Sequence, residues 1–492
     1  MNRYGFTPAL LRNIEKTFSY AYAKNTGRYT NAPDSYDAVN FFNKQLTLSN
    51  PFMLFMELDR YGFLNAKKAV QKYKIPFTSS QERAARVFYD VTTRMEKERS
   101  DYVSMYVEDP EGTGVVKYAD PYVLTTEDTL YVAEQINHLP RHKEAFNVLY
   151  KDYIPKSLKA SNEQMNAVET CLKSHISCLI GGAGTGKSFV TAAIIKQLQL
   201  NGHTVAVLAP THKAREALQA KLTECDATVK TVHSFVHSPV ECDAIVIDES
   251  GMLSTVLMAK LLRIYEGQQL VFIGDKNQLE PVGYGRPFER IQLLFTTATL
   301  KENHRSESAD IIALGREVLG IPQNANMAMP NIEVVGTVDQ AFQHGAEVAL
   351  SYTNSNVKSI NESQKVKNGI SSISPFFSVD DVIVAKTNER GRFYNGQIFK
   401  IIGYNQIQKK DSSRIITLKS DKDLQNNFDL AYGLTIHKSQ GSEWDVVAYQ
   451  PSASDYQNLA YVAITRARKR LIIIGDGIKT EYKPNREWRH IG

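Results

Sequence analysis

Cysteine is scarce in this chain. Four of 492 residues are cysteine (Cys171, Cys178, Cys225 and Cys242), and no two of them make a C-x-x-C pair. That spacing gives no zinc site and no disulfide framework, so free buried thiols in a reducing compartment are the plain reading. Long apolar runs are missing too, and none approaches the ~20 residues a membrane-spanning helix needs. The opening Met1-Asn2-Arg3-Tyr4 leads into no apolar secretory core. These absences point to a cytoplasmic protein. No internal repeat or low-complexity tract stands out. Strong charge of either sign is also lacking: the net charge is +5 and the pI about 8.7, which permits nucleic-acid binding without arguing for it. What remains is an ordinary globular composition, 42% hydrophobic and 23% charged, long enough for three or four domains.

The most informative residues present are Gly181-Gly182-Ala183-Gly184-Thr185-Gly186-Lys187-Ser188, a G-x-x-x-x-G-K-S run. An apolar strand pattern, Ile176 to Ile180, precedes it. A helical pattern (Phe189, Val190, Ala193, Ile194, Leu198) follows. Strand, glycine-rich loop and helix make a phosphate cradle. Glycines let backbone N–H groups approach phosphates, and the helix N-terminus adds a favourable dipole. Lys187 would reach the β and γ phosphates of ATP, and Ser188 would hold Mg²⁺.

Two further segments fit around that loop. Ile245-Val246-Ile247-Asp248-Glu249 reads as a buried strand with two acids at its C-terminal end, where doubly wound sheets place ligands. Asp248 would bind Mg²⁺, and Glu249 would position or deprotonate water. A third apolar run, Leu270–Ile273, leads into a long polar loop that carries Gln278, an amide suited to sensing a γ phosphate. Short apolar strands recur at Val205–Ala209, Ala349–Thr353, Val446–Tyr449 and Leu471–Ile474, alternating with helices, which argues for two parallel sheets. Between them Val382–Ala385, Gln397–Tyr404 and Ile415–Leu418 read as a small β insert, with Asn395-Gly396 as its turn.

An ordered series of segments resembles superfamily 1 helicases, specifically the RecD-like and Dda-like group of superfamily 1B. Beyond the three motifs above it comprises Ser161-Asn162-Glu163-Gln164, Leu208-Ala209-Pro210-Thr211-His212-Lys213-Ala214, Thr231-Val232-His233-Ser234-Phe235, Asn303-His304-Arg305-Ser306, Thr435-Ile436-His437-Lys438-Ser439-Gln440-Gly441-Ser442-Glu443 and Tyr461-Val462-Ala463-Ile464-Thr465-Arg466. The resemblance implies that Gln164 reads adenine, that Gly441 and Glu443 join the nucleotide site, and that Arg305 and Arg466 are catalytic arginines. It also implies single-stranded DNA contacts at Pro210, Thr211, His212, Thr231, His233, Thr435, His437 and Lys438. Phe235, Tyr284 and Tyr394 are candidate base-stacking rings.

The fold class implied is α/β, two RecA-like parallel-sheet motor domains with a small SH3-like β insert and an N-terminal helical domain. The expected divisions are an N-terminal domain at 1–155, a first motor at 156–290, a second at 291–385 and 431–492, and the insert at 386–430. Within the first part, Ala66, Ala69, Val70 and Tyr73 share one helix face. A turn at Gly62 gives 54–75 the shape of a helix–hairpin–helix, although Arg60 stands where relatives carry a second glycine. The implied activity is ATP- and Mg²⁺-dependent movement, 5′ to 3′, on single-stranded DNA and its junctions by a monomeric motor, in replication, recombination or repair. An RNA-directed helicase and a translocase that strips proteins but unwinds poorly are the alternatives. The second draws on the few residues, His237 to Asp243, where relatives carry a strand-splitting hairpin.

Overall fold

In the computed structural model the chain is described from residue 42 to 478, except for 47–48, 57–62, 106–112, 119, 141–159, 223–224, 305–307, 322–327, 369–376, 388, 390–391 and 410–411; outside that span residues 6, 7, 10, 11, 14 and 490 are described. The turn at Gly62 and the candidate Arg305 therefore lie outside the described residues.

The first motor is one sheet of six parallel strands. In spatial order they are Thr228–Thr231, Val205–Ala209, Ala244–Ile247, Gln269–Gly274, Ile176–Gly181 and Thr296–Leu300. Its inner strands Val205–Ala209, Ala244–Ile247 and Gln269–Gly274 are buried along their whole length, as a sheet covered on both faces requires. Side chains alternate between two apolar layers. Ile245, Ile247 and Phe272 enter one with Leu257 and Met258, while Val246, Val271 and Leu179 enter the other with Ile194 and Leu198. The helix Glu127–His138, which precedes the motor in sequence, is built into the first layer through Val132 and Ile136.

The second motor is a parallel sheet in the order Ile332–Val335, Ala467–Ile474, Trp444–Tyr449, Val348–Ser351 and Gly433–Thr435. Between its strands Val348–Ser351 and Gly433–Thr435 the chain leaves to form a five-stranded antiparallel sheet. The order there is Ile415–Thr417, Gln406–Lys409, Ile398–Gly403, Val382–Ala385 and Phe428–Leu430. This small sheet has its own core, centred on Phe393, Phe399 and Phe428. Val382–Ala385 is one of its inner strands, so it sits with the insert rather than with the second motor sheet. Gly396 turns the chain with φ of 88°, in the left-handed region that glycine adopts without strain.

The N-terminal region packs Pro51–Met56, Phe63–Lys72 and Ser79–Glu98 around an aromatic core of Phe6, Phe42, Phe52, Phe55 and Phe63. It also holds a three-stranded antiparallel sheet, ordered Val103–Ser104, Asp120–Thr126, Val115–Tyr118. Ala66, Ala69 and Val70 are buried on one face of Phe63–Lys72, as their spacing requires. No helix among the described residues is long and apolar enough to cross a membrane.

Candidate active site

The strand Ile176–Gly181 ends on the glycine-rich loop, and the helix Lys187–Leu200 starts from it. Gly184 and Gly186 have φ of 79° and 83°, which an L side chain tolerates poorly. Gly186 is also crowded, since a Cβ there would stand 2.3 Å from Gln164 Nε2. Gln164, buried, thus lies against the loop. It is fixed there by a reciprocal cap in which Ser161 Oγ accepts from Gln164 N (3.3 Å) and Gln164 Oε1 from Ser161 N (3.2 Å). Lys187 Nζ donates to Gly181 O (2.7 Å) and Gly182 O (2.9 Å), so the ammonium is folded over the cradle. Ser188 Oγ accepts from Lys221 Nζ at 3.1 Å.

The acidic pair follows the central strand Ala244–Ile247. Glu249 adopts a left-handed φ of 51°, and its N–H donates to Asp248 Oδ1 at 2.9 Å. A non-glycine residue held there stores strain of order 1–3 kcal/mol. Burial, together with the adjacent Glu249, raises the Asp248 carboxyl above the ordinary range, while Lys187 and Lys221 oppose the shift. Gln278 Nε2 donates to Glu249 Oε1 at 3.4 Å, which ties the polar loop to the acids. Ser188 and Asp248 offer only oxygen, the donor set that suits Mg²⁺ alongside phosphate oxygens.

The second motor closes directly on this site. Its helix Gln457–Thr465 carries Asn458 and Tyr461 three residues apart, hence on one face. Asn458 Nδ2 donates to Asn277 O (3.0 Å) and Gln278 O (3.3 Å). Tyr461 Oη accepts from Ala183 N at 2.9 Å and donates to Asp275 Oδ2 at 2.8 Å. Leu279, next to Gln278, is buried in the core of the second motor. Arg466 lies one residue beyond the same helix but turns into its own domain. It is buried, with Nε donating to Val462 O and Nη1 to Ser442 O, both at 3.2 Å. His304 N donates to Gly184 O at 3.0 Å, so the chain reaches the loop one residue before Arg305. Gly441 stands against Ala214 rather than the phosphate loop (its Cβ would meet Ala214 N at 3.3 Å), and Glu443 is exposed.

The residues expected to hold DNA share a local design. Thr211, Thr231 and Thr435 each cap a helix directly after a parallel strand, accepting from Ala214 N, Ser234 N and Lys438 N at 3.1, 3.1 and 3.2 Å. Pro210 is buried beside the first cap, whereas His233, His437 and Lys438 are exposed. The helix His212–Lys221 meets both other bodies. The His212 ring stacks on Tyr394 of the insert (centroids 4.3 Å, planes 12° apart), and Lys213 Nζ donates to Lys438 O at 3.0 Å. Two rings expected as stacking platforms are core residues instead. Phe235 is buried in the first motor core, and Tyr284 is buried against Val91, Met95 and Leu124 of the N-terminal region. Neither face is open to a base. The Lys187–Gln278–Asp248 grouping was legible in sequence, but Tyr461, Asn458, Asp275 and His304 were not assigned. Only their long-range placement reveals them.

With this geometry in view, residues 159–321 match the family model described as an AAA domain, and residues 430–474 match the UvrD-like helicase C-terminal domain. The chain is 26% identical over 466 residues to the ATP-dependent RecD2 DNA helicase of Deinococcus radiodurans, covering 84% of this chain and 63% of that protein. It is 25% identical over 357 residues to the probable conjugal transfer protein TraA of Sinorhizobium fredii, covering 64% of this chain and 32% of that one. The chain therefore spans less than two thirds of the length of either curated relative. Among solved structures it is similar to Pif1 helicase from Bacteroides in complex with ADP-AlF3 and single-stranded DNA, with TM-score 0.45, 17% identity and coverage of 67% of this chain and 95% of that one.

Proposed function

We propose that the chain is a RecD-like helicase of superfamily 1B, an ATP-dependent DNA helicase or translocase moving 5′ to 3′ on single-stranded DNA. One observation carries the reading. The phosphate loop, the acid pair and Gln278 of one parallel sheet face a helix of a second parallel sheet, with hydrogen bonds running between them. A site shared by two sheets turns a change of phosphate charge into relative motion of the sheets.

Each residue then has a task. The loop amides and Lys187 bind and orient the phosphates of ATP, and Gln164 holds the base. Ser188 and Asp248 would hold Mg²⁺, which when bound would neutralise phosphate charge. Glu249 takes the proton of the attacking water, held in place by Gln278. Arg305, after the His304 contact, and Arg466, once released from Val462 O and Ser442 O, supply positive charge to the γ phosphoryl, an effect of roughly 10³–10⁵ in rate. Gly441 and Glu443 link this site to the DNA side. Thr211, Thr231 and Thr435 present capped helix N-termini suited to phosphate groups, with His212, His233, His437 and Lys438 alongside. Opening a base pair costs on the order of 1.4 kcal/mol of stacking, so the motion needs fuel. A monomeric cytoplasmic motor acting at single-strand/duplex junctions in replication, recombination or repair fits this scheme, with the insert as an SH3-like domain.

A specific observation keeps a second reading. Only Ser238–Asp243 joins the helix Val232–His237 to the next strand, and it is tied down by Lys230 Nζ on Ser238 O and by Asp243 on Thr204. That stretch is too short for a substantial hairpin, so a translocase that unwinds weakly is the alternative. Short duplexes with a 5′ or a 3′ single-stranded tail separate the cases. The proposal expects displacement from the 5′ tail alone. Displacement from the 3′ tail overturns the direction, and DNA-stimulated ATPase without displacement favours the weak unwinder.

A further inference from the structure

We propose that the Tyr461 hydroxyl is a phosphate surrogate, a latch that holds the two motors together at the phosphate loop and that nucleotide must displace. The inference rests on the reading that Gly181–Ser188 holds nucleotide phosphates.

Three contacts converge on one oxygen. Ala183 N donates to Tyr461 Oη at 2.9 Å, and Tyr461 Oη donates to Asp275 Oδ2 at 2.8 Å. A Cβ on Gly182 would come within 3.2 Å of the same oxygen, so the glycine leaves room for the hydroxyl to sit on the loop. Backbone N–H groups of such a loop serve phosphate oxygens. Here one of them is already satisfied by an oxygen from the other motor.

The bond is not a surface accident. Tyr461 is 2% exposed and Asp275 5% exposed, and the second carboxylate oxygen, Oδ1, accepts from Asn277 N at 2.9 Å. Burial raises the Tyr461 hydroxyl well above its ordinary pKa, which keeps the proton that bonds Asp275. Breaking the latch frees a donor on the loop, an acceptor at the head of the Gln278 loop, and the helix that leads into Arg466. Tyr461 is thus a positioning residue. It reports occupancy of the loop to Gln278 through Asp275 and to Arg466 through Gln457–Thr465, whose first turn is itself held to Gln278 O by Asn458.

The test is Tyr461→Phe, which keeps the packed ring and deletes the oxygen. Equilibrium binding of a fluorescent non-hydrolysable ATP analogue with Mg²⁺ is measured without DNA, with Lys187→Ala as control. The latch predicts tighter binding in Tyr461→Phe, by about 2- to 12-fold, the net worth of one hydrogen bond no longer competing with phosphate. A tyrosine that merely supports the site would leave affinity unchanged or weaken it, and either result overturns the latch. Thermal melting of the variant near that of the wild type excludes a folding defect. If the wild type itself binds no analogue, the nucleotide reading fails and the latch with it. If it binds and Tyr461→Phe gains nothing, the latch alone fails.

Discussion

Two glycines of the first motor share a backbone strain and differ in what surrounds them. Gly186 has φ of 83° and Gly202 of 85°. Alanine at either position meets the left-handed penalty, roughly 1–2 kcal/mol. Gly202 ends the phosphate-loop helix, with its N–H on Gln199 O and the next N–H on Leu198 O, and a Cβ there meets nothing within 4 Å. Gly202→Ala is therefore a pure strain variant. The expected result is a melting temperature lower by about 2–6 °C, with ATP-analogue affinity unchanged. At Gly186 the same strain is joined by a Cβ 2.3 Å from Gln164 Nε2, well inside contact distance. Either the amide or the loop must move, and the Ser161–Gln164 cap resists movement of the amide. Gly186→Ala should lose at least ~1.4 kcal/mol of nucleotide binding, a tenfold weaker Kd, on top of comparable destabilisation. Fluorescence binding and melting curves on both variants read the two effects separately. Equal nucleotide affinity in Gly186→Ala and Gly202→Ala would refute the claim that the loop and Gln164 form one rigid site.

Three more outcomes follow from the charge and ring contacts. His490 lies 3.1 Å from Asp101 and 3.7 Å from Glu289; burial lowers its pKa, but the two carboxylates outweigh it and raise it to about 9. Its folded pKa stands above the unfolded ~6.5, so its stabilisation is complete below about pH 6.5 and lost as pH rises through 9. Wild-type melting temperature should fall across that window more steeply than that of His490→Ala. Glu280 is shared by Arg99 and Arg286, and Arg286 also pairs with Glu289, so Glu280→Ala removes one charged partner from each of two largely buried guanidinium groups and should destabilise by about 1.5–3 kcal/mol, more than Arg99→Ala, as calorimetry would show. Tyr394→Ala removes the ring that stacks on His212, a proposed DNA contact, and should weaken single-stranded DNA binding severalfold in a fluorescence titration, with ATP-analogue affinity unaffected.

What could be read from sequence follows burial. The inner strands, such as Val205–Ala209 and Ala244–Ile247, are covered on both faces and therefore read as unbroken apolar runs. The four motor strands not foreseen are the four at sheet edges: Thr228–Thr231, Thr296–Leu300, Ile332–Val335 and Gly433–Thr435. Thr296–Leu300 alternates exposed and buried and is rich in threonine, and Gly433–Thr435 is three residues long, so neither carries a run. In the N-terminal sheet Val103–Ser104 and Val115–Tyr118 are only two and four residues long, too short to carry a run. Local chemistry was legible wherever it lay within one segment, as in Gly181–Ser188 or Asp248-Glu249. Tyr461 and Asn458 acquire meaning only because a helix some 180 to 280 positions away in sequence packs on Ala183 and Gln278. Phe235 and Tyr284 illustrate the reverse. An aromatic ring near a motif is as suited to a core as to a base, and here both rings went to the core.

The central claim is that the shared site burns ATP in response to DNA. Its most direct test is steady-state ATP hydrolysis with and without single-stranded DNA, at one moderate salt concentration because DNA affinity falls steeply with salt. Wild type should hydrolyse ATP with Mg²⁺ and accelerate severalfold or more as DNA is added, while Lys187→Ala stays inactive under both conditions. A wild-type rate indifferent to DNA, or an unchanged rate in Lys187→Ala, would contradict the account.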